Sequence, residues 1–142
     1  VGNVADVSAT HTNGTDDMYA VADGKLPKSS SDMSIPRWTS WSQKGKEQQV
    51  TIKLKKAQEI ESVSVYWYDD QGGVQLPVSW NMEYYAQGAW HPFKLYVTDV
   101  YGVQVNQFNM VHPAEPFTTD SIRLNITPRE DATVGILEVQ IE

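Results

Sequence analysis

Cysteine is absent from this chain of 142 residues, so disulfide bonds and thiolate metal sites are excluded. Histidine is scarce: His11, His91 and His112 lie in separate segments, without an H-x-H or H-x-x-x-H pair. This spacing argues against a transition-metal centre built on clustered imidazoles. A G-x-S-x-G turn is also missing, which removes the usual setting of a serine nucleophile. No apolar run is long enough to cross a bilayer.

An excess of positive charge is missing too, because the net charge is −7 and the pI is about 4.8. Nucleic-acid phosphates and anionic membrane surfaces both require clustered lysine and arginine. We therefore expect no nucleic-acid partner and no membrane insertion. Acidic side chains and turn carbonyls instead suit hard cations such as calcium.

The chain also lacks any segment in which apolar residues recur with the period of a helix, although residues 18–22 can hold one helical turn. Apolar residues alternate with polar ones instead, as in Val50, Ile52 and Leu54, the pattern of a half-buried strand. The predicted strands are 4–10, 49–54, 60–68, 79–86, 90–97, 105–111, 119–127 and 134–141. Short strands separated by turn residues predict an all-β fold, an antiparallel sandwich or barrel. No linker interrupts the chain, so we expect one domain over residues 1–142.

What the chain does have is a long turn-rich stretch, residues 22–41, which ends in Trp38 and Trp41. Asp23-Gly24 opens it, and Gly24 permits the positive φ that turns carbonyls inward. Spacing alone leaves two interpretations of Asp23: an oxygen ligand of calcium, or the cap of an ordinary turn.

Two acidic pairs, Asp69-Asp70 and Glu130-Asp131, are candidates for paired-carboxylate catalysis. Adjacent acids in loops are mostly solvated turn residues, so a catalytic role is disfavoured.

Several motifs and their order carry a family resemblance. D-G, R-W-T-S-W, V-x-I-x-L and V-x-V-Y-W-Y-D-D follow one another as in discoidin-like (coagulation factor 5/8 C-terminal type) domains. These domains include many carbohydrate-binding modules of bacterial glycoside hydrolases. The stretches S-V-S-V-Y-W-Y-D-D-Q-G-G-V-Q-L-P-V-S-W, Q-G-A-W-H-P-F and G-I-L-E-V-Q-I resemble the C-terminal tails of such hydrolases. The likeness covers nearly the whole chain.

The resemblance implies an eight-stranded antiparallel jelly-roll sandwich of the galactose-binding-like type, excised from a larger multidomain enzyme. It also implies a structural Ca²⁺ ion held by the Asp of the D-G loop, main-chain carbonyls and a Glu of the last strand. The matching residues are Asp23 and Glu138. The alternative for Glu138 is an exposed charge on an edge strand.

In this family the sugar site lies on loops at one end of the sandwich. A sugar ring stacks its C–H face on an aromatic side chain, while planar polar groups bind its hydroxyls. Trp38 matches a buried core residue, and Trp41 matches a position beside the ligand or, alternatively, in second-layer packing. The remaining carbohydrate-binding candidates are Asp69, Asp70, Gln75, Tyr101 and Arg129. The alternative is an ordinary polar loop for Asp69, Asp70 and Gln75, and a half-packed ring for Tyr101.

Three functions remain open. The first is a non-catalytic carbohydrate-binding module of a secreted bacterial glycoside hydrolase, monomeric, with a glycan ligand and the catalytic domain of the same polypeptide as partners. It would work in the periplasm, at the cell surface or outside the cell. The second is a structural accessory domain without a sugar ligand, and the third is a small jelly-roll enzyme.

An exposed Trp41 beside polar groups favours the first function, and a buried Trp41 with a broad apolar patch favours the second. Carboxylates or histidines converging in a pocket favour the third.

Overall fold

The computed structural model describes residues 2–142 of the chain. In this range it has nine β-strands and one 3-10 helix, Met18–Ala22. The strands are β1 (Val4–Ala9), β2 (Trp38–Thr39), β3 (Gln48–Ile60), β4 (Val63–Tyr68), β5 (Ser79–Ala86), β6 (Ala89–Pro92), β7 (Asn109–Val111), β8 (Phe117–Thr127) and β9 (Gly135–Ile141). Each of the eight predicted strands is present, and the two-residue β2 is added to them.

The strands form two antiparallel sheets that pack face to face. One sheet has five strands in the order β1-β3-β8-β5-β6, and the other has four in the order β2-β9-β4-β7. The predicted all-β jelly-roll sandwich is therefore confirmed. No helix in residues 2–142 has the length and apolar character that a membrane crossing requires.

Period-two alternation places the core between the sheets. Val50, Ile52 and Leu54 of β3 are at most 1% exposed. The same holds for the inward residues of β8, which pair with β3 in register. Burial of such side chains is worth about 1.5–3 kcal/mol each, so these two central strands contribute much of the fold's stability. Trp38 is fully buried, as predicted.

The second sheet departs from simple alternation, because its central strand β4 is buried on both faces. Tyr66 and Tyr68 lie on its outer face in a second apolar cluster with Val74 and Leu137, against which Ile35 and Phe108 pack. Leu137 joins that cluster since a β-bulge shifts the register between β4 and β9. Simple alternation along β9 would instead place Leu137 on the same face as Val139 and Ile141, which pack in the inner core.

Register places four connections at one end of the sandwich. Ala9 pairs with Val50, Tyr68 with Gly135, and Ser79 with Thr127. The segments that follow or precede these residues, 10–17, 40–47, 69–78 and 128–134, therefore gather at the same end. We call this the loop end, and it carries the cleft described below.

The strands on either side of segment 93–108 are shorter than predicted. Strand β6 ends at Pro92, although the Phe93 N–H still donates to the Met82 carbonyl, and β7 begins only at Asn109. Segment 93–108 connects the two sheets without a strand of its own, and its Tyr101 packs edge-on against Trp80.

Candidate functional site

A cleft of about 200 Å³ opens at the loop end. It is lined by Asn13, Asp16, Arg37, Thr39, Trp41, Tyr68, Asp70, Gly73 and Val74. We call it the Trp41 cleft. Four separate connections and the two strands β2 and β4, which flank β9, contribute to it, so only the folded sandwich brings these residues together.

Trp41 stands on one wall of this cleft with 41% of its surface exposed. Its position follows from the strand before it, because Trp38 and Ser40 are buried while the alternate residue Thr39 lines the cleft. Its backbone carbonyl accepts a hydrogen bond from Nε2 of His11 at 2.9 Å in one tautomer. The Lys44 ammonium lies 5.6 Å from the centroid of the indole.

Asp16 and Arg37 supply opposite charges in the cleft. The Asp16 carboxylate accepts hydrogen bonds from the backbone N–H and the hydroxyl of Thr39, at 2.9 and 2.6 Å. The Arg37 guanidinium lies 4.8 Å above the ring of Tyr68. Burial raises the pKa of Tyr68, so its phenol stays neutral across the physiological range.

The 69–76 loop forms a further wall, in contact with the Trp41 ring, and its acidic residues mainly hold the loop in shape. One oxygen of Asp70 accepts from the N–H groups of Gly72 and Val74, at 2.7 and 3.1 Å. The two oxygens of Asp69 accept from Gln71 and Leu76. The amide of Gln75 donates to the Gly72 carbonyl at 2.9 Å. Of these three predicted ligands, only Asp70 lines the Trp41 cleft.

Tyr101 and Arg129 lie outside the residues that line the cleft. The Tyr101 hydroxyl donates to the Phe93 carbonyl at 2.9 Å, and its ring packs on Trp80. Tyr101 is thus the half-packed ring of the alternative interpretation. Arg129 is exposed in the 128–134 loop at the same end, where its carbonyl accepts from the Ala132 N–H.

The sequence did not single out three polar residues of the cleft, Asn13, Asp16 and Arg37. A signal for Arg37 existed: in R-W-T-S-W, residues 37, 39 and 41 alternate with the buried Trp38 and Ser40. Asn13 and Asp16 belong to the polar segment 11–19, but no local pattern marked which of its side chains would face Trp41.

A larger concavity of about 450 Å³ lies at the opposite end, lined by Tyr84, His91, Lys94 and Phe117 among others. The Tyr84 ring stacks on both Phe117 and His91, with centroids 3.9 and 5.4 Å away. The concavity is larger than the Trp41 cleft, but its aromatic rings are already engaged with one another.

The structure brings Asp23 and Glu138 together, although they are far apart in the chain. The N–H of Gly24 donates to one oxygen of Glu138 at 3.0 Å, and Gly24 has the expected positive φ of 79°. The other oxygen, Oε1, is buried and has no hydrogen-bond partner within residues 2–142. Burial raises the pKa of Glu138 to about 8, the Gly24 bond opposes this, and the nearby Asp23 raises it further.

The alternative of an exposed charge on an edge strand is wrong for Glu138. Its strand β9 lies between β2 and β4, and the residue is fully buried. A buried carboxyl oxygen without a donor costs free energy unless a proton or a cation meets it. Two close carboxyl groups fit a hard cation, but no third acidic or histidine side chain within residues 2–142 completes a cluster. Further ligands would have to be carbonyls or water.

Comparison with known families agrees with this architecture. The family model described as F5/8 type C domain matches residues 5–139. The chain belongs to the F5/8 type C domain family. The predicted resemblance to discoidin-like domains is thereby confirmed.

Solved structures similar to this F5/8 type C domain include carbohydrate-binding modules. A structure of the Streptococcus pneumoniae β-galactosidase BgaA matches with a TM-score of 0.78 at 13% identity, covering 99% of this chain and 97% of that one. The family 32 module of C. perfringens NanJ, in complex with galactose, matches at 0.74 and 17%, covering 96% and 91%. The family 32 module of AlyQ, in complex with 4,5-unsaturated mannuronic acid, matches at 0.69 and 20%, covering 99% and 95%. At such identities these likenesses show the fold.

Proposed function

We propose that this F5/8 type C domain is a non-catalytic carbohydrate-binding module that holds a glycan in the Trp41 cleft. The observation that carries the proposal is the exposed indole of Trp41 beside polar groups of both charges. The C–H face of a sugar ring stacks on such an indole. Its hydroxyls accept from a guanidinium and donate to a carboxylate, which Arg37 and Asp70 would supply. The neighbours bound to galactose and to a mannuronic acid support this ligand class.

We further propose that the domain is part of a secreted bacterial glycoside hydrolase, working in the periplasm, at the cell surface or outside the cell. The resemblance to C-terminal hydrolase tails and the β-galactosidase neighbour support this. The module would hold the catalytic domain of the same polypeptide near its substrate by raising effective concentration. A monomer with a shallow site suffices for that, with a dissociation constant on the order of micromolar to millimolar.

A structural accessory domain is the second candidate. Five exposed apolar side chains occur within a short part of the chain: Tyr96, Val97, Val100, Val105 and Met110, with exposures from 48% to 87%. Such side chains would fit an interface with another domain. The exposed Trp41, however, is the feature that this alternative leaves without a role.

An enzyme is supported less well. Asp16 and Asp70 do both reach the Trp41 cleft, as paired-carboxylate hydrolysis would need. Each carboxylate already accepts two hydrogen bonds from neighbouring groups of the chain. These bonds indicate that both side chains stabilise the local structure. Modules with this fold are typically non-catalytic.

A glycan array tests the proposal, with galactose-terminated and uronic-acid-terminated chains among its probes. We expect signals that Trp41→Ala abolishes. Tyr96→Ala is the matched control, because it removes an exposed ring far from the cleft and should leave the signals unchanged. An empty array with well-folded protein would refute sugar binding and favour the structural candidate. Turnover of aryl glycosides, lost in Asp70→Asn, would favour the enzyme.

We also propose a structural Ca²⁺ ion at the Asp23/Glu138 pair. The unpartnered oxygen of Glu138 and its proximity to Asp23 support this, because a cation would compensate both buried charge and mutual repulsion. The ion would fix the D-G turn against β9. Its test concerns the stability of the whole molecule and is given in the Discussion.

A further inference from the structure

Gly73 lies at the centre of the loop wall that faces Trp41. Its carbonyl accepts hydrogen bonds from both the N–H and the hydroxyl of Thr133, each at 2.8 Å. Thr133 is fully buried. On the two sides of Gly73, the N–H groups of Gly72 and Val74 donate to the Asp70 carboxylate. The peptide at Gly73 is therefore held from behind and from both sides.

The indole of Trp41 occupies the space that a side chain at position 73 would need. A Cβ built on Gly73 would overlap Cζ3 of Trp41 and lie 2.8 Å from Cη2 and 3.0 Å from Cε3. Real Cβ atoms essentially never come this close to another heavy atom. The backbone itself would accept alanine, because Gly73 is not among the glycines with positive φ. The three heavy atoms nearest to that Cβ all belong to the indole ring.

We propose that Gly73 is the positioning residue that sets the orientation of the Trp41 indole. Its missing side chain lets the six-membered ring of the indole lie directly against the loop. The inference deepens the proposed function, since the exposed indole is the surface on which the sugar ring would stack.

The same contacts decide which partner moves when a methyl group is added. The Gly73 peptide is clamped by buried Thr133, whereas the Trp41 indole is partly exposed and its ring faces only the flexible ammonium of Lys44 on one side, 5.6 Å away. The ring must therefore rotate away from the loop. Asp69, Asp70 and Gln75 act on the sugar site through this clamped loop, and only Asp70 also faces the cleft.

The test is Gly73→Ala in protein labelled with 5-fluorotryptophan and observed by ¹⁹F NMR. Five tryptophans give five resonances, and Trp41→Phe assigns the relevant one. We expect the Trp41 resonance to shift or broaden, while those of the buried Trp38 and Trp67 stay in place. Gly14→Ala is the matched control, because a Cβ there meets nothing within 4 Å. A Trp41 resonance unchanged by Gly73→Ala would overturn the proposal.

A double-mutant cycle keeps the test valid if Gly73→Ala lowers stability. In the Trp41→Ala background the clash is gone, so Gly73→Ala should not lower the melting temperature further. An equal loss in both backgrounds would place the strain elsewhere and refute the proposal. This readout and the NMR signal need no ligand, so they stand even if the array is empty. On an array with signals, Gly73→Ala should weaken them about tenfold or more, with Gly14→Ala unchanged.

Discussion

Single residues around the Trp41 cleft divide into those that face the cleft and those that hold it. Trp41 and Arg37 present an exposed indole and a guanidinium to the cleft. Asp69 and Gln75 also have the side-chain chemistry of sugar ligands, but they form hydrogen bonds with the backbone of their own loop. Composition can name both kinds of residue, but it cannot separate them, because the difference lies in which atoms are already bonded.

Asp32 gives a residue-scale prediction about pH. The hydroxyl of Ser34, followed by the N–H groups of Lys28 and Ser34, lowers the pKa of Asp32 to about 2. The folded protein therefore binds this proton more weakly than the unfolded chain, whose aspartate pKa is about 3.9. The stabilisation is complete above that value and is lost as pH falls toward 2.

Asp32→Asn removes this contribution. Thermal unfolding of both proteins should show a difference in melting temperature that is constant above about pH 5 and shrinks between about pH 4 and pH 2. Asp131→Asn, an exposed acid at the loop end, serves as the control. If the difference in melting temperature grew as the pH fell, the lowered pKa of Asp32 would be contradicted.

At the scale of elements, alternation predicts the five-stranded sheet well and the four-stranded sheet less well. In β3 and β8 one face meets the core and the other meets solvent, so the period of two is visible in the sequence. In β4 and β9 both faces are covered, and the bulge at Leu137 moves that residue to the outer cluster. A bulge has no local signature in this stretch, since it depends on pairing with a distant strand.

Leu137→Ala tests whether the outer cluster contributes to stability. Leu137 is fully buried among Tyr66, Tyr68 and Val74, so its truncation should leave a cavity and lower the free energy of unfolding by about 2–5 kcal/mol. Met110→Ala is the control, because Met110 is 49% exposed and should change stability little. Urea denaturation measures both variants. If both variants lost equally little free energy of unfolding, the outer cluster would contribute little to stability.

At the scale of the whole molecule, the proposed Ca²⁺ ion predicts a coupling between metal and folding. An ion that binds only the folded chain adds stability with its concentration, so a chelator should lower the melting temperature. Asp23→Ala should melt at the same temperature with and without chelator. Asp131→Ala should keep the chelator effect of the unchanged protein. A chelator that leaves the melting temperature unaltered would refute the site.

The sandwich as a whole also explains why the candidate site was only partly predictable. Trp41 and Asp70 were named from motif order, and both line the cleft. Asn13, Asp16 and Arg37 were not, because they reach the cleft from different loops that meet only when the two sheets pack. Tyr101 was also predicted as a sugar ligand, but its ring packs edge-on against Trp80 and lies outside the cleft.

Periodicity and turn residues were enough to establish the all-β class and the run of strands, because side-chain alternation and turns act over a few positions. The order of the motifs supplied the family resemblance and, through it, the buried Trp38 and the pairing of Asp23 with Glu138. Packing decided that Glu138 is buried, that the 69–76 loop is clamped by its own acids, and that Gly73 leaves room for Trp41. Each of these depends on contacts between residues far apart in the chain, and such contacts exist only once the two sheets enclose a common core.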